Sequence, residues 1–232
     1  MATPYATVHL PSTPSTQDEA RSRFEGAPLL VTTDRQTAGR GRNDREWLEA
    51  PRPLAISLAF ELSWPLPTWP RLTLVAGLAA AAALDDMVSL DWPNDLVVGP
   101  RKVGGLLTEA ADGVVVVGLG VNLWWPEPPP GMAGVLADDP GDTKSPDIAA
   151  AFASDLLDRA SAGPDGWGRD DYRDRCLTLG GEVVWEEGAG VAVDVGEDGS
   201  LIVETEEGTI ELHSSEVTRI TRGTVPPMRP TE

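Results

Sequence analysis

Lysine is almost missing from this chain. Lys102 and Lys144 are the only two, against sixteen arginines. Cysteine is scarcer: Cys176 stands alone, which excludes an internal disulfide and a cysteine-built zinc site. The two histidines, His9 and His213, lie far apart, and no histidine-based metal cluster or Ser-His-Asp arrangement is readable. Positive charge is short overall, with a net charge of −19 and an isoelectric point near 4.3. That argues against nucleic-acid and anionic-membrane partners, both of which need clustered cations. Long hydrophobic runs are absent too. The longest weakly polar stretch, Leu72 to Leu84, is too short to span a bilayer. The opening MATPYATVHL has neither the basic start nor the apolar core of a secretory signal. A soluble cytoplasmic protein is the expectation.

Within 232 residues, 41% of them apolar, there is room for one medium domain, or for a domain of roughly 180 residues with a small appendage. Ala6 to Leu10 and Leu29 to Thr32 read as strands. Between them Ser15 or Thr16 is a helix N-cap, with Asp18 and Glu19 in the first turn. Leu54 to Leu62 reads as a strand and Thr68 to Asp86 as a helix buried on most faces. A strand at Val88 to Trp92 is stopped by the turn signal Pro93-Asn94-Asp95. Three antiparallel strands are expected at Leu96–Val98, Lys102–Ala110 and Gly113–Leu123. A loop from Pro126 to Asp142 and helices at Pro146–Ala162 and Trp167–Thr178 complete the first unit, residues 1–179. From Gly180 the pattern becomes short alternating runs divided by glycine, GEVVWEE, GVAVDVG, SLIVETEE, GTIELHS and EVTRI. These predict a five-strand β-barrel over residues 180–224, followed by a polar, proline-rich tail at 225–232.

Charge is uneven along this plan. Gly180 to Leu212 holds ten carboxylates and no Lys or Arg, whereas Arg35, Arg40, Arg42 and Arg45 crowd one loop. A basic island in an acidic protein suggests a local anionic ligand, with a solvated loop as the plain alternative. In Gly39-Arg40-Gly41-Arg42 the glycines let the backbone approach a phosphate and the arginines add permanently charged forks; Trp47 offers a ring for a base to stack on. A second candidate segment is Asp91-Trp92-Pro93-Asn94-Asp95 followed by Arg101-Lys102-Val103-Gly104-Gly105. There the rare Lys102 could face a carboxylate or acyl phosphate, and Asp95 could orient it or hold Mg²⁺; an exposed strand lysine beside a hairpin is the alternative. In Gly118-Leu119-Gly120-Val121-Asn122 the glycines imply a close approach within a buried strand, and the Asn122 amide could meet a base edge or simply cap the strand.

Taken together, these pieces resemble the biotin–protein ligase family. STQ (Ser15–Gln17), QTAGRGRxxRxW (Gln36–Trp47), WPND (Trp92–Asp95), RKVGGLL (Arg101–Leu107) and GLGVN (Gly118–Asn122) follow in the family's order. The resemblance implies an α+β fold: a mixed, mainly antiparallel sheet with helices packed on it, plus a small C-terminal SH3-like β-barrel. It implies an ATP- and Mg²⁺-dependent enzyme that makes biotinyl-5'-AMP and passes biotin to a lysine of a biotin carboxyl carrier protein or domain. Ser15, Thr16 and Gln36 resemble biotin-ring contacts, with Gln17, Arg40, Gly41, Arg42, Lys102, Gly104 and Gly105 completing the biotin site. Arg40, Arg42, Arg45, Trp47, Asn94 and Asn122 resemble the ATP site. Lys102, Arg42 and Asp95 are the catalytic candidates, with Asp95 also the candidate Mg²⁺ ligand. The start of the chain implies the short form without the N-terminal helix-turn-helix. One departure is Asp91, where the family usually has Lys or Arg. A lipoate–protein ligase, and a non-catalytic paralogue that binds biotin or an adenylate, are the competing readings.

Overall fold

A computed structural model describes residues 4–141, 145–214 and 221–222, the last two and residue 44 through their backbone only. Strands β1 (Ala6–Leu10), β2 (Leu29–Thr33), β3 (Arg52–Glu61), β4 (Ser89–Asp91), β5 (Asp95–Val98), β6 (Arg101–Ala111) and β7 (Val114–Trp124) form one seven-stranded sheet. Its order is β1-β2-β3-β7-β6-β5-β4. Only β1 and β2 run parallel; every other pairing is antiparallel.

Side-chain alternation gives this sheet two unlike faces. On one, Ile56, Leu58, Val115, Val117, Leu119 and Val121 join the main core beneath helix α2 (Arg71–Ala83) and helix α3 (Ser145–Ala162). Alanine and leucine on all sides let α2 pack as a central, buried helix. It is shorter than the sequence suggests: Pro70 stands at its start, and Asp85 and Asp86 past its end take left-handed φ of 51° and 56°. The other face carries helix α1 (Thr16–Arg23) at one end, where its Ala20 packs with Leu29, Val31, Ala59 and Val116. Beside α1 that face is left open.

Ser15 is the N-cap of α1, accepting from the Asp18 amide at 3.4 Å. Helix α4 (Arg169–Arg175) is also shorter than expected. Gly168 begins it at a left-handed φ of 92°, and after it Cys176 turns to lie along Leu90 of β4. From residue 182 a second sheet follows: β8 (Glu182–Trp185), β9 (Gly188–Val195), β10 (Leu201–Thr205), β11 (Gly208–Leu212) and β12 (Thr221–Arg222), in the order β11-β10-β9-β8-β12. The expected last strand at Glu216–Ile220 and the tail at 225–232 lie outside the described residues. β12, pairing with β8, supplies the fifth strand. Val183, Trp185, Ala192, Val195, Leu201 and Val203 face the same core that α2 fills, so one unbroken apolar interior runs through both sheets. Among the described residues no helix is long and apolar enough to cross a membrane.

Candidate active site

The open face beside α1 is a cleft of about 1150 Å³, open solvent at its mouth included. Its floor is made of β3, β7, β6 and β5, and the loop from Gln36 to Trp47 forms one wall. Glycines keep the floor clear. A Cβ on Gly118 would meet Gln17 Oε1 at 2.7 Å, and one on Gly120 would meet the Trp47 ring at 2.8 Å. Gly105 lies beside Asp95 and Lys102, where a Cβ would make only ordinary contacts at 3.4 and 3.6 Å.

One end of the cleft is neutral and polar. Thr16 donates through its amide and hydroxyl to Gln36 Oε1, at 2.9 and 3.2 Å. The Thr16 and Ser57 hydroxyls lie 2.9 Å apart, and Ser57 donates to Gln17 Oε1 at 3.0 Å. Gln17 Nε2 is fixed on the Leu107 and Val116 carbonyls. All four side chains are thereby held by one another and by the backbone. The Gln36 amide donates to Glu49 at 2.7 Å, and burial pushes the Glu49 carboxyl above its ordinary range despite that bond.

Charge gathers at the other end. Lys102 Nζ donates to Asp95 Oδ1 at 2.6 Å. Regular alternation would put Lys102 and Gly105 on opposite faces. A bulge opposite Leu96 and Val97 sets the extra residue Val103 into β6 and brings the lysine onto the cleft side. Arg42 donates to Asn94 Oδ1 at 3.4 Å and to the Ser214 carbonyl of the second sheet's exit. Burial lowers the Arg42 pKa, and Asp95 acts against that shift. Asn94 is held by donating to the Leu106 carbonyl at 2.8 Å. Arg40 pairs with Asp18 at 2.6 Å, and Gly41 donates to the Arg45 carbonyl at 2.7 Å, which folds the arginine loop back on itself.

Ser15, Thr16, Gln17, Gln36, Arg40, Gly41, Arg42, Arg45, Trp47, Asn94, Asp95, Lys102 and Gly105 all line this one cleft. Two sequence candidates do not. Gly104 faces the opposite side, where a Cβ would meet the Gly120 carbonyl at 2.7 Å; it serves the close packing of β6 on β7. Asn122 shares the cleft face of β7 but is fully buried, and neither amide atom has a hydrogen-bond partner among the described residues. Ser57, Leu107 and Glu49 went unnoticed in the sequence. Ser57 sits in an otherwise apolar strand, and that buried hydroxyl was the one signal available. His213 lies with Asp198 and Glu211, their ligand atoms within 4.8 Å of one another, on the partly exposed second sheet.

Residues 9–123 match the family model described as the biotin/lipoate A/B protein ligase family. The chain is 28% identical over 218 residues to a biotin–[acetyl-CoA-carboxylase] ligase of Mycobacterium tuberculosis, covering 83% of this chain and 79% of that one. It is 28% identical over 247 residues to the bifunctional ligase/repressor BirA of Bacillus subtilis, covering 90% and 71%. Its structure is similar to that of the biotin protein ligase from Aquifex aeolicus in complex with biotin and ATP. The TM-score is 0.78 at 27% identity, over 94% of this chain and 99% of that one.

Proposed function

The chain belongs to the biotin–protein ligase family, and from that premise we propose that it activates biotin with ATP and transfers it to a carrier lysine through the cleft beside α1. The observation that carries this reading is the polarity of the cleft: fixed amides and hydroxyls at one end, Lys102 and Arg42 at the other, over a glycine floor. Thr16, Gln17 and Gln36 suit a neutral ring that both donates and accepts hydrogen bonds. The floor leaves room for an aliphatic chain, whose carboxylate then reaches Lys102.

In the first step a biotin carboxylate oxygen attacks the α-phosphorus of ATP, and pyrophosphate leaves with the electrons of the broken P–O bond. Two anions must meet, so positioned cations are worth most here. Lys102 neutralises the carboxylate and the transferred phosphate; Arg42 and Arg45 serve the remaining phosphates. Asp95 offers hard oxygen donors beside that end, which fit Mg²⁺, and would hold it together with the nucleotide phosphates. When bound, Mg²⁺ would neutralise charge on the phosphates and leaving group. In the second step the carrier's neutral lysine amine attacks the acyl carbon of biotinyl-5'-AMP and AMP departs. Between the steps the arginine loop keeps water from the adenylate. Trp47 is the adenine contact in this reading. Asn122, whose buried amide has no partner among the described residues, meets a base edge only if the residues covering it move.

Residues 1–179 form the catalytic part, and residues 180–224 form the appended unit that supplies Ser214 to Arg42. The carrier is a biotin carboxyl carrier protein or domain. Pyrophosphate exchange from labelled pyrophosphate into ATP, dependent on biotin, tests the first step. Incorporation into a purified carrier domain tests the second. Exchange supported by lipoate and not by biotin would instead identify a lipoate ligase, and biotin binding without exchange a non-catalytic paralogue.

A further inference from the structure

Asp91 puts a carboxylate on the cleft side, directly across the β4–β5 hairpin from Asp95. At an end that must receive ATP phosphates, a free carboxylate would oppose binding. Its geometry gives it other work. Asp91 Oδ1 accepts from the Thr178 hydroxyl at 2.6 Å, and the same hydroxyl oxygen accepts from the Trp92 amide at 2.8 Å. Thr178 is fully buried. It is held in turn by the Leu177 amide, which donates to the Leu90 carbonyl at 2.7 Å, and by Cys176 lying along Leu90. One residue further on, the Trp92 indole donates to the Gly199 carbonyl in the β9–β10 turn. The hairpin is therefore gripped by the junction and by the second sheet at residues 90–92, just before the turn that places Asn94 against Arg42 and Asp95 against Lys102.

We propose that Asp91 and Thr178 are positioning residues: their hydrogen bond ties the edge strand of the catalytic sheet to the segment that joins α4 to the second sheet, and so sets the Lys102–Asp95 and Arg42–Asn94 pairs that serve ATP. The inference rests on the ligase reading. A charge-assisted bond to a buried hydroxyl is short and directional, so it holds the hairpin while taking up part of the carboxylate's hydrogen-bonding capacity away from the phosphates. The neutral end of the cleft lies on other elements and is untouched by it.

The test uses the full chain, with kinetics of biotin-dependent pyrophosphate exchange and calorimetric biotin binding. Thr178→Val should lower kcat/KM for ATP by about tenfold or more, since small displacements of positioned groups are costly, while biotin affinity stays within about twofold. Thr178→Ser restores the hydroxyl and should recover most of the loss. Asp91→Ala should match Thr178→Val, and Asp91→Asn, which keeps an acceptor for Thr178, should lose less. Three outcomes overturn the proposal: wild-type kcat/KM in Thr178→Val, an equal loss of biotin binding in that variant, or tighter ATP binding in Asp91→Ala or Asp91→Asn. The last would make Asp91 a simple repulsive charge. A wild-type chain with no biotin-dependent exchange refutes the ligase reading itself, and this inference with it.

Discussion

Lys102 is held by one bond of 2.6 Å to Asp95 and is about one-third exposed, so it contributes little to the core. Replacing it with alanine should therefore cost little stability and a great deal of activity. Biotin-dependent pyrophosphate exchange is expected to fall by about a hundredfold or more, the size seen when one positioned donor to developing charge is lost. A melting temperature close to wild type completes the expectation. Retained exchange would exclude the assigned role. Glu49 gives a prediction about pH. Burial raises its pKa in the folded state, so the folded chain holds that proton more tightly than the unfolded chain does. The stability linked to it is present below the usual carboxylate range and is lost as pH rises through the raised value. Glu49→Gln keeps an acceptor for the Gln36 amide without the charge. Its melting temperature should exceed that of wild type near neutral pH, and the gap should close as pH falls below the ordinary glutamate pKa. A gap that widens in acid would contradict this.

The arginine loop, Arg35 to Trp47, has one large apolar anchor. Trp47 lies over Gly120 and beside Gly39, and the Trp47 amide donates to the Gly39 carbonyl, closing the Gly39–Trp47 part of the loop. Gly120→Ala places a methyl group 2.8 Å from that ring, so the ring must move and the loop must lose its anchor. Trypsin should then cut faster at Arg40 and Arg42, and exchange should fall. In the wild-type chain, biotin with ATP is expected to slow cutting at those arginines, because a loop so poor in apolar contacts gains its order from the ligand. Equal cutting with and without ligand would count against the lid role. The loop's composition was plain in the sequence; the glycine beneath its tryptophan was not, because Gly39 and Gly120 meet Trp47 from distant parts of the chain.

From composition alone the chain divides at Gly180, and residues 1–179 would be expected to fold without the rest. The core argues otherwise. Trp185, Ala192, Val195, Leu201 and Val203 lie in the same apolar interior as α2, the Trp167 indole donates to the Glu197 carbonyl at 3.0 Å, and Arg169 pairs with Asp194 at 2.8 Å. Ending the chain at Leu179 would expose that side of the core. The truncated chain is expected to melt well below the full chain and to show non-two-state unfolding by calorimetry. An unchanged melting temperature would show that the second sheet is a passive attachment.

Much of this molecule was legible before any coordinates. Strand and helix positions follow from periodicity, and the candidate residues for biotin and ATP follow from Gln36–Trp47, Trp92–Asp95 and Arg101–Leu107, because local pattern and glycine placement are written residue by residue. What the tertiary structure alone decided are facts about faces and distant neighbours. The bulge at Val103 turns Lys102 toward Gly105, the same strand geometry turns Gly104 away from the cleft, and Asn122 is enclosed rather than exposed. Ser57 becomes part of the polar end only once β3 lies beneath α1, and Asp91 finds Thr178 only once the chain returns to the edge of the sheet 87 residues later. A side chain's type is local, but its face depends on register, and its partner depends on which strands the fold brings side by side.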